Sequence, residues 1–316
     1  MENCENYASH INFQGYIKEC FSQPLDYEAL ISHCTKISEL CCGVSLSYVG
    51  QSLLSRRIPM LSFGQGQRCV FYVGAHHGAE WICSCVLLAF LYELCECNRR
   101  GGRVHSASVP CLEKTRRICV IPMLNPDGVE IEIHGAHPSC PTYERLMRAN
   151  GSSDFSLWQA NARGVDLNHN YNAHFYEYKM LERSLGILGA APTKYSGEYP
   201  ESEPESAALC NLLRYIEPSL VLSLHSQGEV IYSGESLALP CGEMILERLC
   251  VMTGYKAECA QGGAACGGLS DWYSAEMKRP AYTVELGKGQ NPLPLSQGEG
   301  IYQRVREALF SSPMMI

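Results

Sequence analysis

Charge is scarce in this 316-residue chain, and positive charge scarcer still: Asp, Glu, Lys and Arg make up 18%, with 25 Lys and Arg against 33 Asp and Glu. The formal net charge of -8 repels phosphate backbones, which excludes nucleic acid as a partner class. It also provides no long-range steering for acidic substrates, so any anion must be recognised by local groups. The first residues, Met1-Glu2-Asn3-Cys4-Glu5-Asn6, lack the basic and apolar regions of a secretory signal, and the expectation is a cytoplasmic protein. The longest apolar stretch, roughly Cys83 to Leu94, is too short to cross a bilayer and contains Glu93, so it reads as a buried helix and implies no membrane partner. Other chemistries lack their motifs. There is no phosphate-binding P-loop, no GxGxxG after a strand and no GxSxG nucleophile elbow. Although there are 18 cysteines, none has CxxC spacing; they read as free thiols packed as small hydrophobes in a reducing compartment.

Against these absences stands an apolar fraction of 46%, enough for a sizeable core. A helical pattern runs from Asp26, a plausible N-cap, to about Cys42. The strand Cys69–Val73 leads into Gly74-Ala75-His76-His77, and the strand Ile118–Pro122 ends in a turn sequence, Asn125-Pro126-Asp127-Gly128. From about His134 to Ala160 the chain is aperiodic and rich in Ser, Pro, Gly and Asn, which reads as a long surface loop. A capping box, Ser202-Glu203-Pro204-Glu205, opens a helix to Ile216. The strand Leu220–Leu224 delivers His225, the strand Ala281–Val284 delivers Glu285, and a last helix follows Ser296, with Glu299 three residues on. Continuously apolar strands alternating with helices predict one α/β domain over residues 1–316, with a mixed, largely parallel central sheet flanked by helices. In such sheets sites gather beyond the carboxyl ends of strands, where His77, His225 and Glu285 all fall.

A His and a Glu three residues apart on a strand-to-helix turn can close on one zinc ion, and a distant His completes a set that leaves a position open. HxxE alone is a weak signal. His76, four residues before Glu80, competes with His77, and His225 taken singly reads equally as a core histidine. Glu285 is harder to explain as structure, because burying a carboxylate after Ala-Tyr-Thr-Val costs several kcal/mol unless it is paired or protonated. Such a group is a general-base candidate.

Five longer motifs occur in order: Gly74-Ala75-His76-His77-Gly78-Ala79-Glu80-Trp81, Asn125-Pro126-Asp127-Gly128, Arg163-Gly164-Val165-Asp166-Leu167-Asn168, His225-Ser226-Gln227-Gly228 and Tyr282-Thr283-Val284-Glu285. Together they resemble the zinc carboxypeptidase family of the carboxypeptidase A type, over nearly the whole chain. Trp158-Gln159-Ala160-Asn161-Ala162-Arg163-Gly164, Tyr199–Glu205 and Gly287–Pro294 are most similar to its bacterial γ-D-glutamyl-L-diamino acid endopeptidases. The resemblance implies one zinc ion held by His77, Glu80 and His225, Glu285 as the base that activates the attacking water, and Asp166 as the carboxylate that orients His77. It makes Arg163 the candidate for stabilising the oxyanion.

Two departures from the family pattern concern the substrate. Where that pattern has Asn followed by Arg to grip a terminal carboxylate, this chain has Asn168-His169. The position of the usual capping tyrosine falls on Gly263, and Ser270 occupies the position that sets side-chain preference. These changes argue against a digestive-type carboxypeptidase and suit a branched, polar diamino acid. The expected activity is hydrolysis of the γ-D-glutamyl–diamino acid bond in peptidoglycan peptides, with a muropeptide as partner. The alternatives are a broader carboxypeptidase on ordinary peptides, a zinc amidohydrolase on N-acyl amino acids, and a non-enzymatic zinc- or peptide-binding protein. No sequence feature specifies an oligomeric state.

Overall fold

The strand Arg68–Gly74 alternates in what it buries. Val70 and Tyr72 belong to one hydrophobic cluster, and Cys69, Phe71 and Val73 to another. A strand apolar on both faces must lie between two layers, since successive side chains point to opposite sides. In a computed structural model describing residues 12–104, 107–260 and 262–316 it lies in the middle of an eight-stranded sheet. The strands in chain order are β1 (Val44–Gln51), β2 (Arg57–Phe63), β3 (Arg68–Gly74), the short ribbon β4 (Arg103–Val104) and β5 (Ala107–Ser108) outside the main sheet, β6 (Arg116–Ile121), β7 (Leu220–Ser226), β8 (Val230–Tyr232), β9 (Lys256–Glu258) and β10 (Ala281–Leu286).

The order across the sheet is β1-β2-β6-β3-β7-β10-β8-β9. The centre is parallel: β3 pairs with β6 and β7, and β7 with β10. Antiparallel pairs flank it on both sides, β1 with β2, β2 with β6, and β8 with β10. The expected single α/β domain with a mixed sheet is what the chain forms, and the hairpin β1–β2 is an addition that the apolar pattern did not mark.

One face of the sheet carries the helix Ile82–Arg99, buried all round as its apolar run requires, with Tyr27–Leu40 and Gly298–Ser311 packed outside it. It buries two glutamates: Glu93 receives hydrogen bonds from Tyr302 and Arg306 of the last helix, and Glu96 pairs with Arg100 at 2.8 Å. The other face carries Pro204–Ile216 and Leu269–Met277, through Leu209, Leu213, Trp272 and Tyr273. The described cysteines are all free, and most are buried.

Three local expectations are corrected. Asn125-Pro126-Asp127-Gly128 is the start of a helix, Pro126–His134, and not a free turn: Asn125 caps it by accepting from the Gly128 amide at 2.9 Å, with Pro at the first helical position. The aperiodic stretch after His134 contains a helix, Tyr143–Asn150, whose single deeply buried residue is Leu146; a short helix with one anchor leaves little periodicity to read. The capping box at Ser202 does not form, because the N-cap is Glu203 and Glu205 is drawn into a buried polar network. The last helix, Gly298–Ser311, likewise starts without a side-chain cap.

Asn125 also donates through Nδ2 to the carbonyl of His76 at 2.9 Å, tying the end of β3 to the following helix. Asn125→Ala removes a cap and orphans a buried carbonyl, and should lower the unfolding free energy by about 2–4 kcal/mol in urea denaturation. A change under about 0.5 kcal/mol would show that this tie carries no load.

Candidate metal centre and substrate cleft

The site begins where β3 stops. Ala75 takes left-handed backbone (φ 50) immediately after Gly74, turning the chain so that His76 and His77 leave the sheet edge and Gly78–Glu80 forms a single 3-10 turn. Gly78 is required by a close approach, since a Cβ there would come within 2.4 Å of the Gly128 carbonyl and 2.6 Å of that of Trp158. His225 and Glu285 are opposite one another in the parallel pairing of β7 and β10. Neighbours in register on adjacent strands project from the same face, so these two side chains reach the carboxyl edge together.

His77, Glu80 and His225 place one ligand-type atom each within 4.8 Å of one another. Nδ1 of His77 is 2.9 Å from Oε1 of Glu80, and Nδ1 of His225 is 3.1 Å from Oε2. The outer nitrogens are held as well: Nε2 of His77 faces Asp166 Oδ1 at 3.0 Å and Nε2 of His225 faces Ser223 Oγ at 3.1 Å. A carboxylate can only accept, so Asp166 keeps the proton of neutral His77 on Nε2 and presents the lone pair of Nδ1 inward. His76 is elsewhere. Its Nε2 contacts the Tyr171 hydroxyl at 2.9 Å, and its ring stacks on His225. Spacing alone left His76 and His77 competing, and the geometry puts His77 in the cluster.

The charges show what the cluster is short of. Burial disfavours a charged imidazole at His77, yet the carboxylates of Glu80 and Asp166 outweigh it and hold the group well above its usual range. Burial would likewise raise Glu80, but His77 and His225 bring it down to about 2. Glu285 is pushed well above the usual carboxylate range by burial and then by the charge of Glu80. Three carboxylates converge on two imidazoles whose inner lone pairs point at one spot, and this donor set of two nitrogens and a carboxylate fits a zinc ion.

A cavity of about 210 Å³ opens beside the cluster and includes His77, His225 and Glu285 in its wall. Asn168, His169 and Ser270 line it as well. Ser270 Oγ is 2.9 Å from Thr283 Oγ1, leaving a polar floor. The His169 ring stacks on Tyr178 at 3.9 Å and its Nδ1 meets the Cys266 carbonyl at 2.8 Å. Burial lowers its pKa below the usual histidine value, so it is neutral near pH 7 and brings no charge to the arginine position.

Apart from Glu80, buried behind the two histidines, two expected site residues lie outside the cavity wall. Gly263 sits against Tyr178, with room for a Cβ only 3.1 Å from that ring. Arg163 turns away: its Nε donates to Glu203 at 3.0 Å, and it lines a separate small cavity with Arg145 and Tyr195. Its guanidinium is committed to a buried carboxylate, and the structure does not bring it to the oxyanion position. The cavity wall includes Gln159 four residues earlier, together with Thr193, Lys194, Tyr232 and Asp271, none of which was singled out from the sequence as a site residue. Gln159 stood inside a quoted motif, whereas Lys194 has no motif around it.

A family profile described as zinc carboxypeptidase matches residues 32–308. The class defined by fold and site is therefore that of a zinc metallopeptidase, and the chain belongs to the zinc carboxypeptidase family. It is 32% identical over 283 residues to the gamma-D-glutamyl-L-diamino acid endopeptidase 1 of Lysinibacillus sphaericus, covering 89% of this chain and 70% of that one. A shorter match, 41% over 71 residues, or 21% of this chain and 28% of the other, is to murein peptide amidase A of Escherichia coli. Among solved structures, bovine thrombin-activatable fibrinolysis inhibitor shares the fold with a TM-score of 0.66 and 19% identity, over 92% of this chain and 97% of that one.

The network holding Arg163 generates a pH prediction. Glu205 is buried, accepts from the Leu53 amide at 3.1 Å and Asn161 at 3.3 Å, and is pushed up to about 8 by burial and then by Asp127. Because its folded value lies above the ordinary 4.5, folding takes up a proton; the stabilisation is complete below that ordinary value and lost as pH rises through the folded one. Glu205→Gln should flatten the decline in urea-unfolding free energy between about pH 4.5 and pH 8. An unchanged slope would mean that another group governs it.

Proposed function

We propose that this chain hydrolyses the γ-D-glutamyl–diamino acid amide of peptidoglycan stem peptides, using one zinc ion held by His77, Glu80 and His225. The observation that carries the substrate side is His169. A neutral imidazole, stacked and tied to a backbone carbonyl, cannot clamp a terminal carboxylate bidentately. The near full-length likeness to a γ-D-glutamyl-L-diamino acid endopeptidase supports this reading, as does the local likeness to a murein peptide amidase. The polar floor at Ser270 and Thr283 suits a diamino acid better than an apolar side chain. The abundant free thiols support action in a reducing cytoplasm, on turnover products of the wall.

In this reading zinc, when bound, acidifies water, polarises the scissile carbonyl and offsets the carboxylates around it. Asp166 and Ser223 hold the two imidazoles by their outer nitrogens, so that neither ring has to reorient during turnover. Glu285 has no hydrogen-bond partner among the described residues and lines the cavity, so its carboxylate is free to take a proton from the attacking water and return it to the departing amine. Asn168, with Oδ1 engaged by the Leu269 amide at 3.2 Å, has its amide nitrogen left for substrate.

Purified protein with zinc should release the diamino acid, or a fragment bearing it, from L-Ala-γ-D-Glu-diaminopimelate. Turnover of ordinary peptides or N-acyl amino acids without cleavage of this tripeptide would contradict the proposal. Glu285→Gln should lower kcat by about 10²–10⁴-fold with zinc content unchanged. Equal loss of metal and activity would show that Glu285 serves the metal and not the proton.

A further inference from the structure

The cavity wall is crowded with carboxylates, Asp166, Asp271 and Glu285, and holds one lysine, Lys194. No described carboxylate is paired with its ammonium. The backbone of Lys194 is in the left-handed region (φ 66), which is unfavourable for a non-glycine residue. Hydrogen bonds on both sides fix it there: its amide donates to Asp166 Oδ2 at 2.9 Å, and its carbonyl accepts from the Tyr178 hydroxyl at 3.0 Å. The preceding Thr193 donates to Gln159 at 2.6 Å, also in the wall. The same Asp166 that holds His77 therefore sets where Lys194 stands, and couples the lysine to the metal cluster.

An exposed lysine in the wall of an otherwise acidic cleft, paired with no described carboxylate, is available to an anion that a substrate brings. An ordinary α-linked peptide carries no free α-carboxylate on the acyl side of an internal amide. A γ-linked glutamyl residue does, because its α-carboxyl is not used in the chain. We infer that Lys194 is the carboxylate-binding residue of the cleft, and that it pairs with the free α-carboxylate of a γ-linked glutamyl group on the acyl side of the scissile amide. This rests on the γ-glutamyl reading above and adds the residue that distinguishes γ from α linkage. With Arg163 held by Glu203 and His169 uncharged, the described wall offers no other permanent side-chain cation for the task.

The test compares kcat/KM for three tripeptides with the zinc-loaded protein: L-Ala-γ-D-Glu-diaminopimelate, its analogue with the glutamyl α-carboxyl amidated, and its analogue with the diamino acid carboxyls amidated. The wild type should prefer the free α-carboxylate over its amide by about tenfold or more, as a charge-assisted hydrogen bond implies. Lys194→Met should bring that ratio close to one and Lys194→Arg should retain it, with zinc content and Tm of both variants equal to the wild type. A ratio that survives in Lys194→Met overturns the inference. So does a collapse confined to the diamino acid amide, which would place the lysine on the other side of the bond. Failure of the wild type to cleave any of the three would instead sink the γ-glutamyl reading, and this inference with it.

Discussion

The two oxygens of Glu80 face the Nδ1 atoms of His77 and His225, and most of the architecture around the site serves that meeting. The three groups come from two places: His77 and Glu80 from the turn after β3, and His225 from the penultimate position of β7. Holding a carboxylate and two imidazoles together with a second and third carboxylate nearby is electrostatically unfavourable without a cation. The fold supports it by immobilising the two imidazoles and the loop that carries His77 and Glu80 from behind. Asp166 and Ser223 fix the rings, Asn125 ties the His76 carbonyl to a helix N-terminus, and Gly78 lets the loop lie against Gly128 and Trp158. A site arranged in this way is preorganised for a dication and costs stability until one arrives.

The sequence was most legible where chemistry and topology coincide. Apolar strands ending in His77, His225 and Glu285 could be read directly, because a parallel sheet requires buried strands and places functional residues at their carboxyl ends. The choice of His77 over His76 could not be read from spacing, since both fit a helical or turn geometry. It depends on which ring Tyr171 and which ring Asp166 takes, and those contacts lie about ninety residues away. Local capping signals misled where tertiary demand was stronger. Glu205, expected to close a capping box, is needed instead by Leu53 and Asn161.

The substrate side was the least legible. Arg163 has the right chemistry for an oxyanion, and its motif suggested the role, but a salt bridge to Glu203 decides where its guanidinium goes. Gly263 marks the place of a missing side chain, and its backbone lies against Tyr178 and Leu181, outside the cavity wall. Lys194 had no pattern around it; only the fold, by pinning its backbone to Asp166 and Tyr178, gives it a place. Cleft walls assembled from loops carry little periodic signal, and their side chains are set by contacts distant in sequence.

The proposed metal site uses two histidines and a glutamate in a chain with 18 cysteines. X-ray absorption at the zinc edge of the purified, zinc-loaded protein tests it most directly. The expected first shell is nitrogen and oxygen only, at about 2.0–2.2 Å, with the multiple-scattering pattern of two imidazoles, both lost in His77→Ala/His225→Ala. A sulfur shell at about 2.3 Å, or an unchanged spectrum in that double variant, would place the zinc elsewhere and contradict it.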